Sequence, residues 1–323
     1  MKACVTGGSG FIGNGLIKAL VKHEVNIISV TRKKQVHKGL VEYFHADLSN
    51  ENGSLENLLD NVSCIFNCAG EINNKKIMHS LHVYGTARLL NEVAKKIKVF
   101  KQPIHWVQLS SVGAYGHPST IASECRVVTE DTPCNPLGEY EVTKTLADEL
   151  VMQLAATEPL FTYTILRPSN VIGASMPNQS LHALVKMIKK RLFFYIGSRS
   201  AVATYIHVGD VVSALMLCGS DLRARGQVFN LSNDCALSEI VSAVAARLKV
   251  KPSNLCIPEM PLRILVKLMS WIPGMPLTQE RIDALVRHTY YPSNKIKDML
   301  GFVPKRDIPS VITLIFNEKK NAK

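Results

Sequence analysis

The stretch Thr6-Gly7-Gly8-Ser9-Gly10-Phe11-Ile12-Gly13 constrains this chain more than any other. Gly7, Gly10 and Gly13 recur at every third position, after the short apolar run Ala3-Cys4-Val5 and before Leu16, Ile17, Ala19 and Leu20 at helical spacing. A strand that ends in such a turn and opens a helix is a place for an anion. The first glycine lets the chain reverse, the second lets backbone approach a pyrophosphate, and the third lets helix pack on strand. Unpaired amides and the positive end of the helix dipole then face the phosphates. A glycine triplet alone is common; its position after a strand, before a helix and at the start of the chain makes it informative.

The residues that follow alternate between two periods. Apolar runs at 25–30, 40–44, 62–68, 104–109 and 161–166 predict strands, and 53–60, 81–98 and 139–156 predict helices between them. Strand and helix in alternation specify an α/β fold, a Rossmann doubly wound parallel sheet with right-handed crossovers. After Pro168 the rhythm breaks into loops, a basic helix at 181–191 and a proline-punctuated stretch at 252–276. The expected division is a dinucleotide-binding domain over 1–170, with a return to it around 200–232, and a smaller α/β C-terminal substrate lobe over 171–323. A ligand belongs at the carboxyl ends of the strands, between the two.

Charge and cysteine usage exclude several classes. Lys and Arg number 38 against 26 acidic residues, a net +12, yet no basic stripe is interleaved with aromatics, so nucleic acid is not the expected partner. Runs such as Lys95-Lys96-x-Lys98 read as solvated helix faces. The eight cysteines form no Cys-x-x-Cys pair and no His/Cys spacing suited to a metal, which points to a reducing, cytoplasmic setting and to no metal site. No apolar run is long enough to cross a bilayer, and strand one begins too early for a signal peptide.

The residue ending the second strand discriminates the nicotinamide cofactors, because an acid there binds a ribose 2′-hydroxyl whereas a base accommodates a 2′-phosphate. No Asp or Glu occurs between Val25 and Leu40, and Arg32 stands at that place with Lys33 beside it. NADP(H) is therefore favoured, with NAD(H) the alternative, and Arg32 as the main phosphate contact. Asp47 and Leu48, after strand three, border the adenine. Tyr140 and Lys144 form Tyr-x-x-x-Lys, one helical turn apart and on one face. A tyrosine that moves a proton near neutral pH needs its pKa of ~10 lowered, which a neighbouring ammonium does. Ser111, at the end of strand five, is placed to hold a substrate oxygen. Glycine loop, strand-end serine and Tyr/Lys pair together specify hydride transfer at a carbonyl or alcohol carbon.

With these residues the chain resembles the extended short-chain dehydrogenases/reductases, the NAD(P)-dependent epimerase/dehydratase family. The resemblance runs through Thr6–Gly13, Asp47-Leu48, Asn67-Cys68-Ala69-Gly70, Gly85-Thr86-x-x-Leu89-Leu90, Ser110-Ser111-Val112-Gly113-Ala114-Tyr115-Gly116, Tyr140-x-x-x-Lys144, Arg167-Pro168-Ser169-Asn170-Val171-Ile172-Gly173, His207-Val208-x-Asp210-Val211 and Leu300-Gly301-Phe302-x-Pro304. It implies Tyr140 as general acid/base, Lys144 as the group that binds the nicotinamide ribose and lowers the phenol's pKa, and Ser111 as the orienter of the substrate oxygen. It implies cofactor contacts at Gly7, Gly10, Phe11, Ile12, Gly13, Cys68, Ala69, Gly70, Tyr140, Lys144, Pro168, Asn170 and Val171, with Tyr115 and Asn170 beside the substrate.

Two departures bear on the substrate. His82 replaces an asparagine of the family's pattern, and Ala203 stands where sugar-nucleotide epimerases carry an arginine on the diphosphate; Arg199 and Arg287 are the candidates to replace it. The leading expectation is an NADP(H)-dependent oxidoreductase that reduces, or epimerises, a 4-keto/4-hydroxy nucleotide sugar for surface polysaccharide synthesis. The alternative is a 3β-hydroxysteroid-dehydrogenase-like enzyme on a lipid or sterol alcohol, suggested by Pro276-Leu277-Thr278, by Tyr291-x-Ser293-Asn294-Lys295 and by the apolar Met260–Trp271, which could lie on a membrane. A third is a non-catalytic dinucleotide sensor. Homodimerisation through the helices at 81–98 and 139–156 is expected of the family.

Overall fold

The apolar runs at the middle of the sheet become strands buried on both faces, as a parallel sheet requires of its interior. The computed structural model describes residues 2–116, 125–176, 180–269, 271, 278–286 and 288–318. Seven strands form the main sheet: β1 (Lys2–Thr6), β2 (Asn26–Thr31), β3 (Val41–His45), β4 (Cys64–Asn67), β5 (Ile104–Leu109), β7 (Phe161–Pro168) and β12 (Gln227–Leu231), with the two-residue β6 (Arg126–Val127) lying outside it. Their order is β12-β7-β5-β4-β1-β2-β3, and every pairing is parallel. From β1 the chain winds outward to β3, then crosses back to β4 on the other side of β1. That reversal opens a crevice beyond the carboxyl ends of β1 and β4, the place where such sheets bind ligands.

Helices cover both faces. On one, α1 (Phe11–Lys22), α6 (Val208–Ser220) and α10 (Asn294–Leu300) bury Leu16, Leu20, Val211, Leu215, Ile296 and Leu300. On the other, α3 (Gly85–Phe100) and α4 (Glu139–Thr157) bury Leu89, Leu90, Val93, Ile97 and Val151. The short α2 (Lys75–His79) precedes α3, and the five residues between them, Ser80–Tyr84, form a π-turn. The helix expected from Leu81 is thus interrupted at its start.

The segment 53–60, expected to be helical, is a string of turns. Leu55, Leu58 and Leu59 do face the core, which explains the helical spacing. Asn57 and Asn61, however, adopt φ of 62° and 60°, a left-handed conformation that a continuous helix cannot contain. Asparagine tolerates it better than most side chains.

After β7 the chain builds a smaller body and passes through β12 at the sheet edge. Paired short strands stitch it together: β8 (Asn170–Ile172) with β11 (Tyr205–His207), β9 (Tyr195–Ile196) with β14 (Cys256–Ile257), β10 (Val202–Ala203) with β13 (Cys235–Ala236), and β15 (Thr289–Tyr290) with β6. Its core joins α5 (Ser180–Lys189), α7 (Leu237–Leu248) and α11 (Ile308–Glu318) through Leu181, Val185, Ile240, Val244, Ile308 and Ile312. A satellite cluster holds α8 (Glu259–Leu268) and α9 (Gln279–Val286) on Ile196. Among the described residues no helix is long and apolar enough to cross a membrane.

Candidate active site

A cleft of about 1330 Å³ opens at the switch point, lined by the β1–α1 loop, the end of β4, the start of α4 and residues that follow β5 and β7. Beneath it a buried polar chain fixes the strand ends. Thr6 Oγ1 donates to Asn67 Oδ1 (2.6 Å), and Asn67 Nδ2 donates to Gln108 Oε1 (3.0 Å). Thr6 also accepts the Ala69 amide (3.1 Å), so the loop after β4 is tied to the glycine loop.

The glycine loop is packed too tightly for side chains. Gly7 has φ of 66°, and a Cβ on it would sit 2.7 Å from the Cys68 carbonyl oxygen; on Gly13 a Cβ would fall 2.3 Å from the Gly7 oxygen. Gly10 caps α1, with no side chain bonded to the cap and no acid in the first turn, so the helix's positive end is left for an anion in the cleft. Gly7, Gly10, Phe11, Ile12, Gly13, Cys68, Gly70, Pro168, Asn170 and Val171 all line the same space, as does Lys18. These residues fit a dinucleotide.

Arg32 is exposed just past β2, and its charge acts on both Asp47 and Glu71. Burial raises Asp47's carboxyl, but the hydroxyl and amide of Ser49, followed by Arg32 and Arg88, hold it below its ordinary value. Leu48 is buried, with its carbonyl oxygen 2.9 Å from where a Cβ on Gly85 would lie. Ala69 presents its carbonyl oxygen to Lys144.

The opposite wall carries Ser111, Tyr140 and Lys144. Ser111 leaves β5 in an extended conformation and accepts the Gly113 amide on its Oγ (3.1 Å). Tyr140 occupies the first turn of α4, and Lys144, one turn later, is buried with Nζ 3.5 Å from the Ala69 carbonyl. Burial, then the charges of Glu141 and Asp148, push the Tyr140 phenol up to about 12. The expected lowering by Lys144 is not among the influences on the phenol; burial pulls the lysine's own pKa down, against the pull of Asp148 and Cys68. A turn further on, Asp148 accepts from Ser110 Oγ (2.7 Å) and pairs with Arg167 (3.3 Å) in the interior.

His82 departs from the family's pattern in sequence, and the structure gives it a definite place. The π-turn carries it inward, to 2% exposure. Its Nε2 accepts the Glu71 amide (2.9 Å), and its Nδ1 lies 2.8 Å from Thr143 Oγ1. Thr143 already donates to the Glu139 carbonyl (2.7 Å), so Nδ1 carries the proton. The ring meets Tyr140 edge to face at 5.7 Å. Glu71, Glu141 and Thr204 also line the cleft, and no sequence pattern pointed to them; Tyr291, the first residue of the Tyr291-x-Ser293-Asn294-Lys295 segment, lines it too.

Two expected substrate contacts lie elsewhere. Tyr115 is fully buried: the short helix at Val112–Tyr115 turns it under the cleft, where its hydroxyl donates to Asn230 Oδ1 (2.8 Å) and Arg167 stacks on its ring (4.9 Å). Arg199 is exposed outside the cleft, stacked on Tyr195 (5.0 Å) and donating to the Ser253 carbonyl (3.2 Å). Arg287 lies outside the described residues. Asn170 does line the cleft, with its amide donating to the Thr204 carbonyl (3.1 Å).

Sheet order, crevice and uncapped glycine loop define a Rossmann-type protein built to hold a nicotinamide dinucleotide. More narrowly, the chain belongs to the NAD dependent epimerase/dehydratase family, whose model matches residues 3–232. It is 26% identical over 246 residues to a putative UDP-glucose 4-epimerase of Methanocaldococcus jannaschii, covering 70% of this chain and 75% of that one. It is also 26% identical over 249 residues to the mouse sterol-4-alpha-carboxylate 3-dehydrogenase, decarboxylating, covering 72% of this chain and 64% of the mouse enzyme. The fold is that of the UDP-glucuronic acid 4-epimerase from Bacillus cereus, solved in complex with NAD, with a TM-score of 0.75 at 18% identity over 99% of this chain and 97% of that one.

Proposed function

We propose that the protein is an NADP(H)-dependent oxidoreductase that reduces a keto group, on a 4-keto nucleotide sugar, to an alcohol. The observation that carries this reading is the convergence of Ser111, Tyr140 and Lys144 on the wall of the cleft that holds the glycine loop. When bound, the nicotinamide supplies or takes up the hydride. Ser111 holds the substrate oxygen, and Tyr140 moves its proton. A phenol held at about 12 is protonated through neutral pH, the form that reduction starts from, but burial makes it a weaker acid than the lowered phenol that proton transfer near neutral pH calls for. Lys144 anchors the ribose side of the cleft from the Ala69 carbonyl. Arg32, with no acid on its own strand or turn, supports a 2′-phosphate and hence NADP(H) over NAD(H). In this reading residues 171–323 serve as the substrate lobe.

Tyr140→Phe should lower kcat by about 10²-fold or more while NADPH still binds, as fluorescence titration would read. Retained turnover would remove Tyr140 from its role. Arg32→Asp should raise the KM for NADPH on the order of tenfold to a hundredfold and leave that for NADH little changed. An unmoved NADPH constant would remove the 2′-phosphate contact.

A second reading, a lipid or sterol alcohol as substrate, is favoured by the diphosphate side of the cleft. Ala203 is buried and Arg199 is engaged outside the lining, so neither supplies the cation that a diphosphate calls for. Mass spectrometry of ligands that co-purify with the protein separates the two. A bound uridine or thymidine diphosphate sugar supports the first reading, and a bound lipid alcohol the second.

A further inference from the structure

Helix α8 confines its charges, Glu259, Arg263 and Lys267, to one stripe and carries apolar side chains well beyond the face it buries, which is unusual for a helix at the surface of a protein. Its inner side chains, Leu262 and Val266, pack with Ile196, Ile282 and Val286. Its outer side presents Met260, Ile264, Leu265 and Leu268, each between 52% and 68% exposed, and Trp271, just beyond the helix end, is 79% exposed. At 100° per residue the four helical ones fall within an arc of about 140° and run along roughly 12 Å of axis. Single exposed apolar residues are ordinary; a contiguous face of this kind is a contact surface. None of its residues lines the catalytic cleft.

The charge around this face indicates its partner. Two acids of α8 and α9, Glu259 and Asp283, share the one guanidinium of Arg263, which leaves that trio with a single negative charge. Lys267 is exposed beside Leu268. The exposed Lys189, Lys190 and Arg191 close α5 and lead directly into β9, the strand on which α8 packs. A second copy of a chain carrying +12 would bring the same basic rim against this one. An anionic bilayer offers both an apolar interior for the face and phosphates for the rim. Tryptophan at the end of the stripe suits the headgroup boundary, where an apolar ring with a polar N–H is at home.

We infer that α8 docks the protein on anionic lipid, with Met260, Ile264, Leu265, Leu268 and Trp271 entering the headgroup boundary and the basic end of α5 resting on lipid phosphates. This surface is separate from the proposed reaction and does not rest on either substrate reading.

The chain supplies its own reporter. It has two tryptophans, and Trp106 is fully buried, so a change on adding vesicles reports Trp271. Vesicles of phosphatidylcholine with phosphatidylglycerol should shift its emission to the blue and carry the protein upward in a flotation gradient. Phosphatidylcholine alone should do so much less, and added salt should weaken the effect. Leu268→Glu should reduce the floated fraction about tenfold, with the circular dichroism of the free protein unchanged. Should that variant fold poorly, Trp271→Ala, outside the helix and exposed, should reduce flotation without touching the fold. No blue shift and no flotation with anionic vesicles would overturn the inference. Equal binding to neutral vesicles would overturn the anionic assignment. A blue shift that grows with protein concentration in the absence of vesicles would give the face to a second copy instead.

Discussion

His82 stands where the family's pattern has an asparagine, and both of its ring nitrogens are engaged. One accepts the Glu71 amide and the other donates to Thr143, so the ring braces the loop after β4 against the helix that carries Tyr140 and Lys144. Burial, then the Lys144 charge, pulls its pKa down to about 3, so it stays neutral at any working pH. To serve in a proton relay His82 would have to take on charge or exchange one of its ring bonds, and both nitrogens are already engaged. The unfolded chain protonates this histidine near 6.5, whereas the fold resists doing so. The stability it contributes is complete above 6.5 and is lost as pH falls toward 3. His105, held down at about 4 mainly by burial, adds to the same slope. His82→Ala should cost about 1–3 kcal/mol of stability at neutral pH, since it leaves the Glu71 amide unpaired. Thermal melts from pH 7 to 4 should show a shallower fall for the variant, and the pH–rate profile above pH 5 should keep its shape while kcat drops. A limb that disappears from that profile would restore the relay. The sequence showed that position 82 was unusual. It could not show which way the side chain points, because that depends on one extra residue in the turn Ser80–Tyr84.

At the scale of the element, the β1–α1 unit was legible because its constraint is local: three glycines and two flanking periodicities lie within twenty residues. Each glycine nevertheless has its own surroundings. In a helix interior, Gly→Ala ordinarily stabilises by roughly 0.5–1 kcal/mol. At Gly13 the sign should reverse, because the new Cβ would stand 2.3 Å from the Gly7 oxygen and backbone would have to move. Gly13→Ala is expected to lose on the order of 2 kcal/mol and to weaken NADPH binding at least about tenfold. Gly15 lies two residues on in the same helix, and there a Cβ would meet only the Val212 methyl at 3.1 Å. Gly15→Ala should bind NADPH normally. Titration of NADPH fluorescence and thermal melts of both variants read the contrast, and equal behaviour would deny the glycine loop its place against the phosphates. The same local reading misjudged 53–60. Three buried leucines give helical spacing, but a left-handed Asn57 inside the segment breaks it into turns and a left-handed Asn61 follows its end. Hydrophobic period reports which side chains face the core and says less about the backbone that brings them there.

For the molecule as a whole, contacts between distant segments are what the sequence does not display. Tyr115 and Ser111 lie four residues apart and were read as one site, but only Ser111 reaches the cleft. The partner that draws Tyr115 inward, Asn230, comes from the strand that returns to the sheet edge. Asp234 is another such point. Just after that strand, it accepts the Tyr291 amide (2.6 Å) and the Ser232 hydroxyl. Ser232 in turn lies 2.6 Å from Ser169 and takes part in bonds to Ser293, so the end of the main sheet, the cleft wall and the C-terminal segment meet at one carboxyl. Burial raises that carboxyl to about 6, against the lowering supplied by Ser232 and the Tyr291 amide. The folded value lies above the ordinary 3.8, so the fold binds a proton that the unfolded chain has released. The stability this contributes is complete below about 4 and is lost as pH rises through 6. Asp234→Asn should therefore raise stability at pH 7.5, by on the order of 1–2 kcal/mol after allowing for a weaker bond to the Tyr291 amide. Below pH 4 the gain should vanish, because the native carboxyl is then neutral as well. Melting temperatures of both proteins from pH 4 to 8 decide it. Curves that stay parallel would show that Asp234 is ionised throughout, and that the junction between the sheet and the C-terminal segment is held as an ion rather than as a neutral acid.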